Sequence, residues 1–443
     1  MDNKTIVAPM TPAGVSAVAA LRVSGSMVRA LIESLFNCKN PKPRQAALAT
    51  AKNPQTGAII DSLLYLFFEG PNSYTGEDTL ELYPHGNPLI VRELLQAIRE
   101  FPNCRLAEPG EFTRRAFLNG KMDLIQAESV ADVIHSANKA ELSNAHRLLG
   151  GALSVKIKDL HHKVMDMSAR LELDTDFAEE EADPDYAGWE DKFISIGKSI
   201  ESVLHSFHEK ANLSKLPMAV LYGAPNAGKS SLVNALLGED RILVSAIPGT
   251  TRDFVEVRLF LADGEIRLVD TAGIAEKATD DLDALSMKKS EEILKEADLK
   301  ILLVDSTNPP PAKVIDQARE TGALVVLSKA DLESSLFKES EFLKVSAKSL
   351  VGLEELKTQM NSRLFQKKDN EEDLWITSER ARDSLQEALA GVDRALALLR
   401  TNPAVELIAF EMQLVRRALQ TVTGEISSED ILQSIFSGFC IGK

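Results

Sequence analysis

Eight residues in the middle of the chain have the types and spacing of a phosphate-binding loop. The segment "GAPNAGKS" (223–230) lies between an apolar run, "MAVLY", and a helix-like segment, "SSLVNALLG", which is the context that the pattern requires. Gly223 and Gly228 would let backbone N–H groups face the phosphates. Lys229 can reach the β- and γ-phosphates, and Ser230 can bind magnesium. The segment therefore predicts a nucleoside triphosphate site.

Two later segments could select the base of that nucleotide. "SKAD" follows the apolar run "ALVVL", and "VSAK" comes soon after it. The Asp331 carboxylate can accept two hydrogen bonds from guanine while Lys329 packs on the ring. We therefore expect a guanine nucleotide, with Ser346 and Ala347 close to the base.

The segments between these two places complete the pattern. "IPGTTRD" supplies Thr250 and Thr251, where a switch segment belongs. "DTAG" places Asp270 at a strand end, suited to hold magnesium through water, and Gly273 where it could sense the γ-phosphate. Five elements in this order predict a GTP site. The residues assigned to it are Asn226, Ala227, Gly228, Lys229, Ser230, Ser231, Ser245, Ala246, Ile247, Pro248, Gly249, Thr250, Thr251, Asp270, Thr271, Ala272, Gly273, Ser328, Lys329, Ala330, Asp331, Ser346, Ala347 and Lys348.

One position differs from Ras-like enzymes, which orient the attacking water with a Gln just after D-x-x-G. Ile274 stands there and cannot hydrogen-bond water. Another group must orient the water, and another positive charge must replace an arginine finger. Asn226, inside the phosphate loop, could ligate a monovalent cation where such a finger would reach.

Composition and charge limit the class of protein. A chain of 443 residues, 44% of them apolar, predicts about three globular domains. The three scattered cysteines (Cys38, Cys104, Cys440) argue against a disulfide framework and for a reducing cytoplasm. No apolar run has the length of a membrane span, and "MDNKTIVAPM" lacks signal-peptide features, so we expect no membrane partner and a mature protein from Met1. The net charge of −16 indicates that any work on RNA needs a basic partner or a local basic patch.

The pattern of apolar and turn-forming residues along the chain predicts the elements that must position these residues. It predicts a multidomain α/β protein. Short β-like runs separated by turns predict an α+β domain over residues 1–120. Apolar residues recurring at three and four predict one discontinuous α-helical domain over 121–213 and 369–443. Between its two parts, alternating strands and helices predict an inserted P-loop, Ras-like G domain with a mainly parallel sheet over 214–368.

Several longer segments are not generic signals of a fold. They include "PNSYTGEDTLEL" (71–82), "PGEFTRRAFLNGKMDLIQAESVAD" (109–132) and the terminal "FCIGK" (439–443). With the nucleotide motifs, they make the chain resemble the MnmE (TrmE) family of tRNA modification GTPases over essentially its whole length. The resemblance implies a homodimer whose N-terminal domain binds tetrahydrofolate and mediates dimerisation.

The resemblance also implies a reaction and a partner. Family members work with the FAD-dependent protein MnmG in a heterotetramer. They add an aminomethyl-type group, such as 5-carboxymethylaminomethyl, to C5 of the wobble uridine of certain tRNAs. The one-carbon donor is 5-formyl- or 5,10-methylene-tetrahydrofolate, and transient pairing of G domains together with potassium drives GTP hydrolysis. The tRNA would be held mainly through MnmG.

The family's site residues carry over onto matching positions. The implied tetrahydrofolate contacts are Arg22, Glu81, Lys121 and Lys443, where a carboxylate could meet the pterin and the cations could meet the glutamate tail. The implied magnesium ligands are Ser230 and Thr251, and the implied potassium ligands are Asn226, Ser245, Ile247 and Thr250. The residues implied in catalysis are Cys440, Asp283 and Asp270.

Several positions depart from the family pattern. Ser328 is shorter than the Asn that usually begins the base-reading motif. Asp283, near the position of a water-orienting Glu, is one methylene shorter, and Ala224 stands where a basic residue is common. We therefore expect GTP hydrolysis to be retained but weakened.

The last residues, "FSGFCIGK", allow three readings. "CIGK" formally fits a prenylation signal, but Gly442 is not aliphatic and Lys443 is not an accepted final residue. A frayed tail is the usual fate of a terminus. However, the preceding "SSEDILQSIF" predicts a helix with a capping-box-like Ser427 and Asp430, which could direct the last residues. Read with the family, the tail is expected to be a catalytic arm, with Cys440 acting as nucleophile, acid/base or positioner.

Two other functions compete with this one. The first is a regulatory, Era-like GTPase switch, for instance in ribosome assembly; it shares the nucleotide motifs but would not need the N-terminal motifs or Cys440. The second is a folate-dependent aminomethyltransferase whose G domain is only structural. The intact Lys229, Ser230 and Asp270 argue against the second.

Overall fold

The computed structural model describes residues 3–176, 186–207, 216–239, 255–270, 292–332, 342–365, 374–401 and 404–443. The chain divides into two units. The first contains Met1–His135, Asn144–Glu209 and Leu374–Lys443, and the second contains Ser136–Ser143 and Lys210–Asp373. The predicted boundary near residue 120 falls inside the first unit and stays a prediction. Within the described ranges, no helix is both long enough and apolar enough to cross a membrane.

The secondary structure is numbered here in chain order. The strands are β1 (Thr5–Pro9), β2 (Ser16–Val18), β3 (Leu21–Ser24), β4 (Ala47–Lys52), β5 (Ile59–Phe68), β6 (Thr79–Tyr83), β7 (His85–Gly86), β8 (Cys104–Leu106), β9 (Met218–Tyr222), β10 (Val255–Phe260), β11 (Glu265–Asp270), β12 (Leu299–Asp305), β13 (Leu324–Ser328) and β14 (Leu343–Lys344). The helices are α1 (Val28–Phe36), α2 (Pro88–Arg99), α3 (Glu111–Leu118), α4 (Leu124–His135), α5 (Lys139–Leu149), α6 (Ala152–Asp176), α7 (Tyr186–Leu204), α8 (Lys229–Glu239), α9 (Ala312–Glu320), α10 (Leu353–Leu364), α11 (Glu379–Thr401), α12 (Val405–Thr423) and α13 (Glu429–Ser437).

The first unit contains a six-stranded sheet with the order β4-β5-β6-β3-β1-β8. Its neighbouring strands are antiparallel except for β1 and β8, which are parallel. Successive side chains of a strand point to opposite faces, and β1 is buried on both. Val7 packs with α1 and α2, whereas Ile6 packs with Phe112 of α3. The sheet therefore lies between helices from two parts of the N-terminal sequence.

Long helices from two separate stretches of the chain pack into one bundle in the first unit. α6 and α7 precede the segment Lys210–Asp373 of the second unit in the sequence, and α11 and α12 follow it. Their apolar faces share one core, in which Phe193, Ile200 and Leu385 are fully buried. A Cβ at Gly391 of α11 would lie 2.7 Å from Cγ2 of Val415, so the absent side chain lets α11 and α12 approach closely.

The second unit is built on a sheet with the order β10-β11-β9-β12-β13-β14. β10 is antiparallel to β11, and the other described neighbours are parallel. α8 and α10 pack on one face through Leu236 and Leu356, and α9 packs on the other through Ile315. β9 lies between β11 and β12, where the strand order reverses direction. In sheets of this kind, ligands bind at the carboxyl end of the strands at that reversal.

Candidate functional site

The carboxyl ends of four parallel strands bring the predicted nucleotide residues to one edge of the second sheet. β9 ends just before the phosphate loop, β11 ends at Asp270, β12 at Asp305 and β13 at Ser328. Neighbouring parallel strands finish on the same side of a sheet. Motifs that are separated by up to about a hundred residues in sequence therefore converge there.

The phosphate loop, residues 223–230, is held by its own lysine. Lys229 is 7% exposed, and its Nζ donates to the carbonyl oxygens of Gly223 and Ala224, each at 3.0 Å. A Cβ at Gly223 would lie 2.3 Å from the carbonyl oxygen of Leu303. Glycine is therefore required at the start of the loop for packing against β12, and the ammonium is already in place among the backbone groups that cradle phosphates.

Two oxygen atoms that could bind a divalent cation lie next to each other, one at the end of the phosphate loop and one at the end of β11. Ser230 Oγ donates a hydrogen bond of 2.7 Å to Oδ2 of Asp270, which is 2% exposed. Hydroxyl and carboxylate oxygens are the hard ligands that magnesium prefers. The pair therefore fits the predicted magnesium site, for which the other assigned ligand, Thr251, lies outside the described residues.

Ser328 is tied to the phosphate loop. The residue is buried, and its Oγ lies 2.7 Å from the carbonyl oxygen of Ala227 and 3.2 Å from that of Val304. Since a hydroxyl has one proton, it donates to one of these carbonyls at a time. The short side chain that departs from the family pattern thus couples the base-reading segment to the loop that cradles the phosphates.

Asp331 is oriented by a neighbouring hydroxyl. Ser346 Oγ donates a hydrogen bond of 2.6 Å to Oδ1 of Asp331, and this bond lowers the pKa of the carboxyl group. The backbone N–H of Lys348 in turn donates to Ser346 Oγ. Lys329 forms an ion pair of 2.6 Å with Asp305 at the end of β12. The carboxylate that would read guanine is therefore ionised and held in one orientation.

The remaining GTP residues divide into those that are described and those that are not. Asn226 is exposed on the phosphate loop with a φ of 66°. The others that are described lie on that loop, at the start of α8, or after β13 and β14: Ala227, Gly228, Ser231, Ala330, Ala347 and Lys348. The residues outside the described ranges, whose roles stay predictions, are Ser245, Ala246, Ile247, Pro248, Gly249, Thr250, Thr251, Thr271, Ala272, Gly273, Ile274 and Asp283.

A second cluster of charged side chains lies on the N-terminal sheet. Arg22 of β3 and Glu81 of β6 are directly opposite each other, with Arg22 Nη2 and Glu81 Oε1 2.9 Å apart. Tyr83 donates to the other carboxylate oxygen at 2.6 Å, and the Arg22 guanidinium lies 4.8 Å from the centre of the Tyr74 ring. Arg22 Nη1 is buried and has no hydrogen-bond partner among the described residues. A buried, unsatisfied donor beside a carboxylate fits a polar anionic ligand such as a folate.

α13 directs the end of the chain toward this cluster. Ser428 Oγ accepts a hydrogen bond of 3.3 Å from the backbone N–H of Ile431, so the N-cap is Ser428, one residue later than the predicted Ser427. The buried Leu432 and Phe436 pack with α4 in one apolar cluster. The tail therefore follows a helix that is capped at its N-terminus and packs against α4 through its apolar face.

Two close backbone approaches dock the tail. A Cβ at Gly110 would lie 2.7 Å from the carbonyl oxygen of Phe436, and one at Gly442 would lie 2.3 Å from the carbonyl oxygen of Pro9 in β1. Gly442 also has a φ of 100°, which favours glycine. Lys443 is consequently held at the N-terminal sheet.

Lys443 lies in the electrostatic field of Arg22 and Glu81. Burial, and next the charge of Arg22, lower the pKa of Lys443, whereas the charges of Glu81 and Cys440 act in the opposite direction. Three of the four predicted folate contacts are therefore brought together. The fourth, Lys121, is exposed, and its Nζ donates to the carbonyl oxygen of Pro71 at 2.9 Å.

Three residues of this region were not predicted from the sequence. Tyr74 and Tyr83 contact Arg22 and Glu81, and His135 Nε2 lies 3.8 Å from Cys440 Sγ. The spacing of two between Glu81 and Tyr83 on one strand could have indicated a shared face. No local pattern relates His135 to a residue that follows it by 305 positions.

Comparisons with known proteins agree with this architecture. The model described as "MnmE helical domain" matches residues 124–440, and "GTP-binding protein TrmE N-terminus" matches residues 5–121. The chain belongs to the MnmE family of tRNA modification GTPases. The family resemblance seen in the sequence is thereby confirmed, and so is a multidomain organisation with a TrmE-type N-terminal domain and an MnmE-type helical domain.

Curated relatives match over their full length. The tRNA modification GTPase MnmE of Syntrophus aciditrophicus is 37% identical over 460 residues, which cover all of both chains. That of Dichelobacter nodosus is 38% identical over 461 residues, covering 100% of this chain and 99% of the relative. Among solved structures, the G domain of the T. maritima FeoB iron transporter is 25% identical over 34% of this chain and 99% of its own, but its TM-score of 0.27 is too low to support a conclusion.

The grouping of Lys443 with Arg22 and Glu81 predicts pKa shifts of opposite sign. Glu81→Gln should lower the pKa of Lys443 further, because it removes a negative charge that favours the ammonium. Arg22→Gln should raise that pKa, because it removes a positive charge. NMR titration of the Lys443 side chain in lysine-labelled protein measures both shifts.

The matched control for this titration is Lys121→Gln, which should leave the pKa of Lys443 unchanged because Lys121 lies against Pro71. Shifts of the same sign in Glu81→Gln and Arg22→Gln would contradict the cluster.

Proposed function

We propose that this chain is a GTPase that takes part in tRNA modification. The proposal is carried by the convergence of Lys229, Ser230, Asp270 and Asp331 on one edge of the second sheet. The relatives that match over full length are named tRNA modification GTPases. The proposal therefore has independent support from the geometry and from the family.

In the proposed reaction, the chain's own groups bind and orient GTP. The Lys229 ammonium, which contacts two loop carbonyls, would exchange these partners for phosphate oxygens. Magnesium would be held by Ser230 directly and by Asp270 through water, and it would neutralise charge on the phosphates. The Asp331 carboxylate would accept hydrogen bonds from the two N–H groups on the guanine edge. Ser346 would hold that carboxylate in position.

We further propose that potassium supplies the positive charge that an arginine finger supplies elsewhere. Asn226 is exposed on the phosphate loop and offers an amide oxygen there. The other proposed ligands are Ser245, the backbone of Ile247 and Thr250. Water would be oriented by Asp283, since the side chain of Ile274 has no polar atom.

The N-terminal cluster supports a second chemical role for the chain. Arg22, Glu81, Lys121 and Lys443 would bind a tetrahydrofolate derivative. Arg22 Nη1, which is buried without a hydrogen-bond partner in the described ranges, would gain one. The folate would supply the one-carbon unit for C5 of the wobble uridine, and Cys440 would act next to it. A purely regulatory, Era-like switch would not require this cluster.

The surface and the charge of the chain support the proposed partners. Leu48 and Leu64 are directly paired across β4 and β5, and are 72% and 47% exposed. An exposed apolar pair at the edge of a sheet is suited to a protein interface, which supports a homodimer formed through the N-terminal domain.

The net charge of −16 supports binding of tRNA mainly through a basic partner, the FAD-dependent MnmG, in the cytoplasm.

Potassium dependence can be tested through GTP turnover. The rate should be at least roughly tenfold higher in potassium than in sodium at equal ionic strength, equivalent to about 1.4 kcal/mol of barrier. Asn226→Ala should remove most of the difference, because it removes a proposed ligand. Asn234→Ala, at an exposed position of α8, is the matched control and should retain the difference. Equal rates of the unmodified protein in the two salts would exclude the potassium proposal.

The role in tRNA modification can be tested in cells that lack this protein. Mass spectrometry of digested tRNA should show loss of the C5 group from wobble uridines. The unmodified gene should restore it, and Lys229→Ala should not, because this lysine is needed to bind the phosphates. If the C5 group persists without the protein, the proposed function is wrong.

A further inference from the structure

Cys440 and His135 lie side by side although 305 positions separate them in sequence. Cys440 Sγ is 3.8 Å from His135 Nε2, a distance at which the larger sulfur atom can share a proton with nitrogen. Both residues are exposed, so a reagent or substrate can reach them. Their proximity results from the packing of α13 on α4, through Phe436, and from the docking of Gly442 at β1.

The hydrogen bond on the far side of the ring fixes the direction of this contact. His135 Nδ1 lies 2.9 Å from the carbonyl oxygen of Ala131, one turn earlier in α4. A carbonyl oxygen only accepts, so Nδ1 carries the proton of the neutral ring. Nε2 therefore presents its lone pair to Cys440, and the thiol is the donor.

Two electrostatic features favour transfer of that proton. His135 is the last residue of α4, and the partial negative charge of a helix C-terminus stabilises an imidazolium. Lys443 and Cys440 interact with a sign that favours an ammonium next to a thiolate.

Charged groups of α4 and of the N-terminal sheet have partners of their own. On α4, Glu128 forms an ion pair with Arg380, and Asp132 accepts a hydrogen bond from Thr377. On the N-terminal sheet, Arg22 and Glu81 are paired with each other and act on Lys443. Lys443 interacts electrostatically with Cys440.

We propose that His135 is a positioning residue that accepts the thiol proton of Cys440 and so maintains Cys440 as a thiolate. One proton passes from Sγ to Nε2, and no other bond changes. A thiolate is the nucleophilic form of cysteine. The use of this thiolate in tRNA modification rests on the proposed function, but the pair itself can be tested without tRNA or folate.

The test is the pH profile of Cys440 alkylation by iodoacetamide in the full-length protein, resolved by peptide mass spectrometry. In the unmodified protein, the reaction should remain fast below the ordinary thiol pKa of about 8.5. His135→Ala should move the profile to higher pH and slow alkylation near neutrality by roughly tenfold. A role in packing alone would not move the pH midpoint.

A second variant separates proton acceptance from hydrogen bonding. His135→Gln keeps a polar side chain of similar reach but cannot take up a proton in this pH range. It should behave like His135→Ala. Retention of the unmodified profile by either variant would overturn the proposal.

Two controls are available within the chain. His146→Ala removes an exposed histidine of α5 and should leave the Cys440 profile unchanged. Cys104 serves as the comparison thiol, because burial raises its pKa to about 11. It should react slowly throughout the neutral range in every variant.

The outcome for the pair is distinguishable from the outcome for the proposed function. Cells carrying Cys440→Ser should lose C5 modification of wobble uridines if the thiolate takes part. If modification persists while the alkylation profile depends on His135, the pair stands and the proposed use of Cys440 is wrong. If the profile does not depend on His135, the pair is wrong whatever the modification level.

Discussion

The contact between the end of the chain and the N-terminal sheet determines where the last residues lie in the first unit. It depends on two places where backbone meets backbone, Phe436 at Gly110 and Gly442 at Pro9. A side chain at either glycine would have to displace main-chain atoms, and densely packed interiors resist such displacement. The position of Lys443 beside Arg22 and Glu81 follows from these contacts.

The nucleotide site of the second unit is formed by a different principle. Each of its segments leaves the carboxyl end of a strand, so the sheet brings them together whatever their order in the chain. Small side chains then connect the segments: Ser230 bonds to Asp270, and Ser328 bonds to the loop carbonyl of Ala227. In this chain, two serine hydroxyls therefore tie together segments that come from different strands.

The parts that could be predicted from sequence are those with a local signature. The phosphate loop around Lys229 and the orientation of Asp331 follow from short motifs in strand–loop contexts. The N-cap of α13 is Ser428 rather than Ser427. This difference depends on backbone dihedral angles that cannot be inferred from two consecutive serines in the sequence. His135 could not be predicted, because its partner Cys440 comes from a distant segment. The folate role of Lys121, which contacts Pro71, rests on the family resemblance and stays a prediction.

The central claim is that the docked tail is part of the modification site. It is tested most directly by the level of C5-modified wobble uridine in cells carrying Gly442→Val at normal protein abundance. This change retains Cys440 and Lys443 but places a branched side chain against the Pro9 carbonyl, where even a Cβ would lie 2.3 Å away. The account predicts loss of the modification. A wild-type level of modification would contradict it.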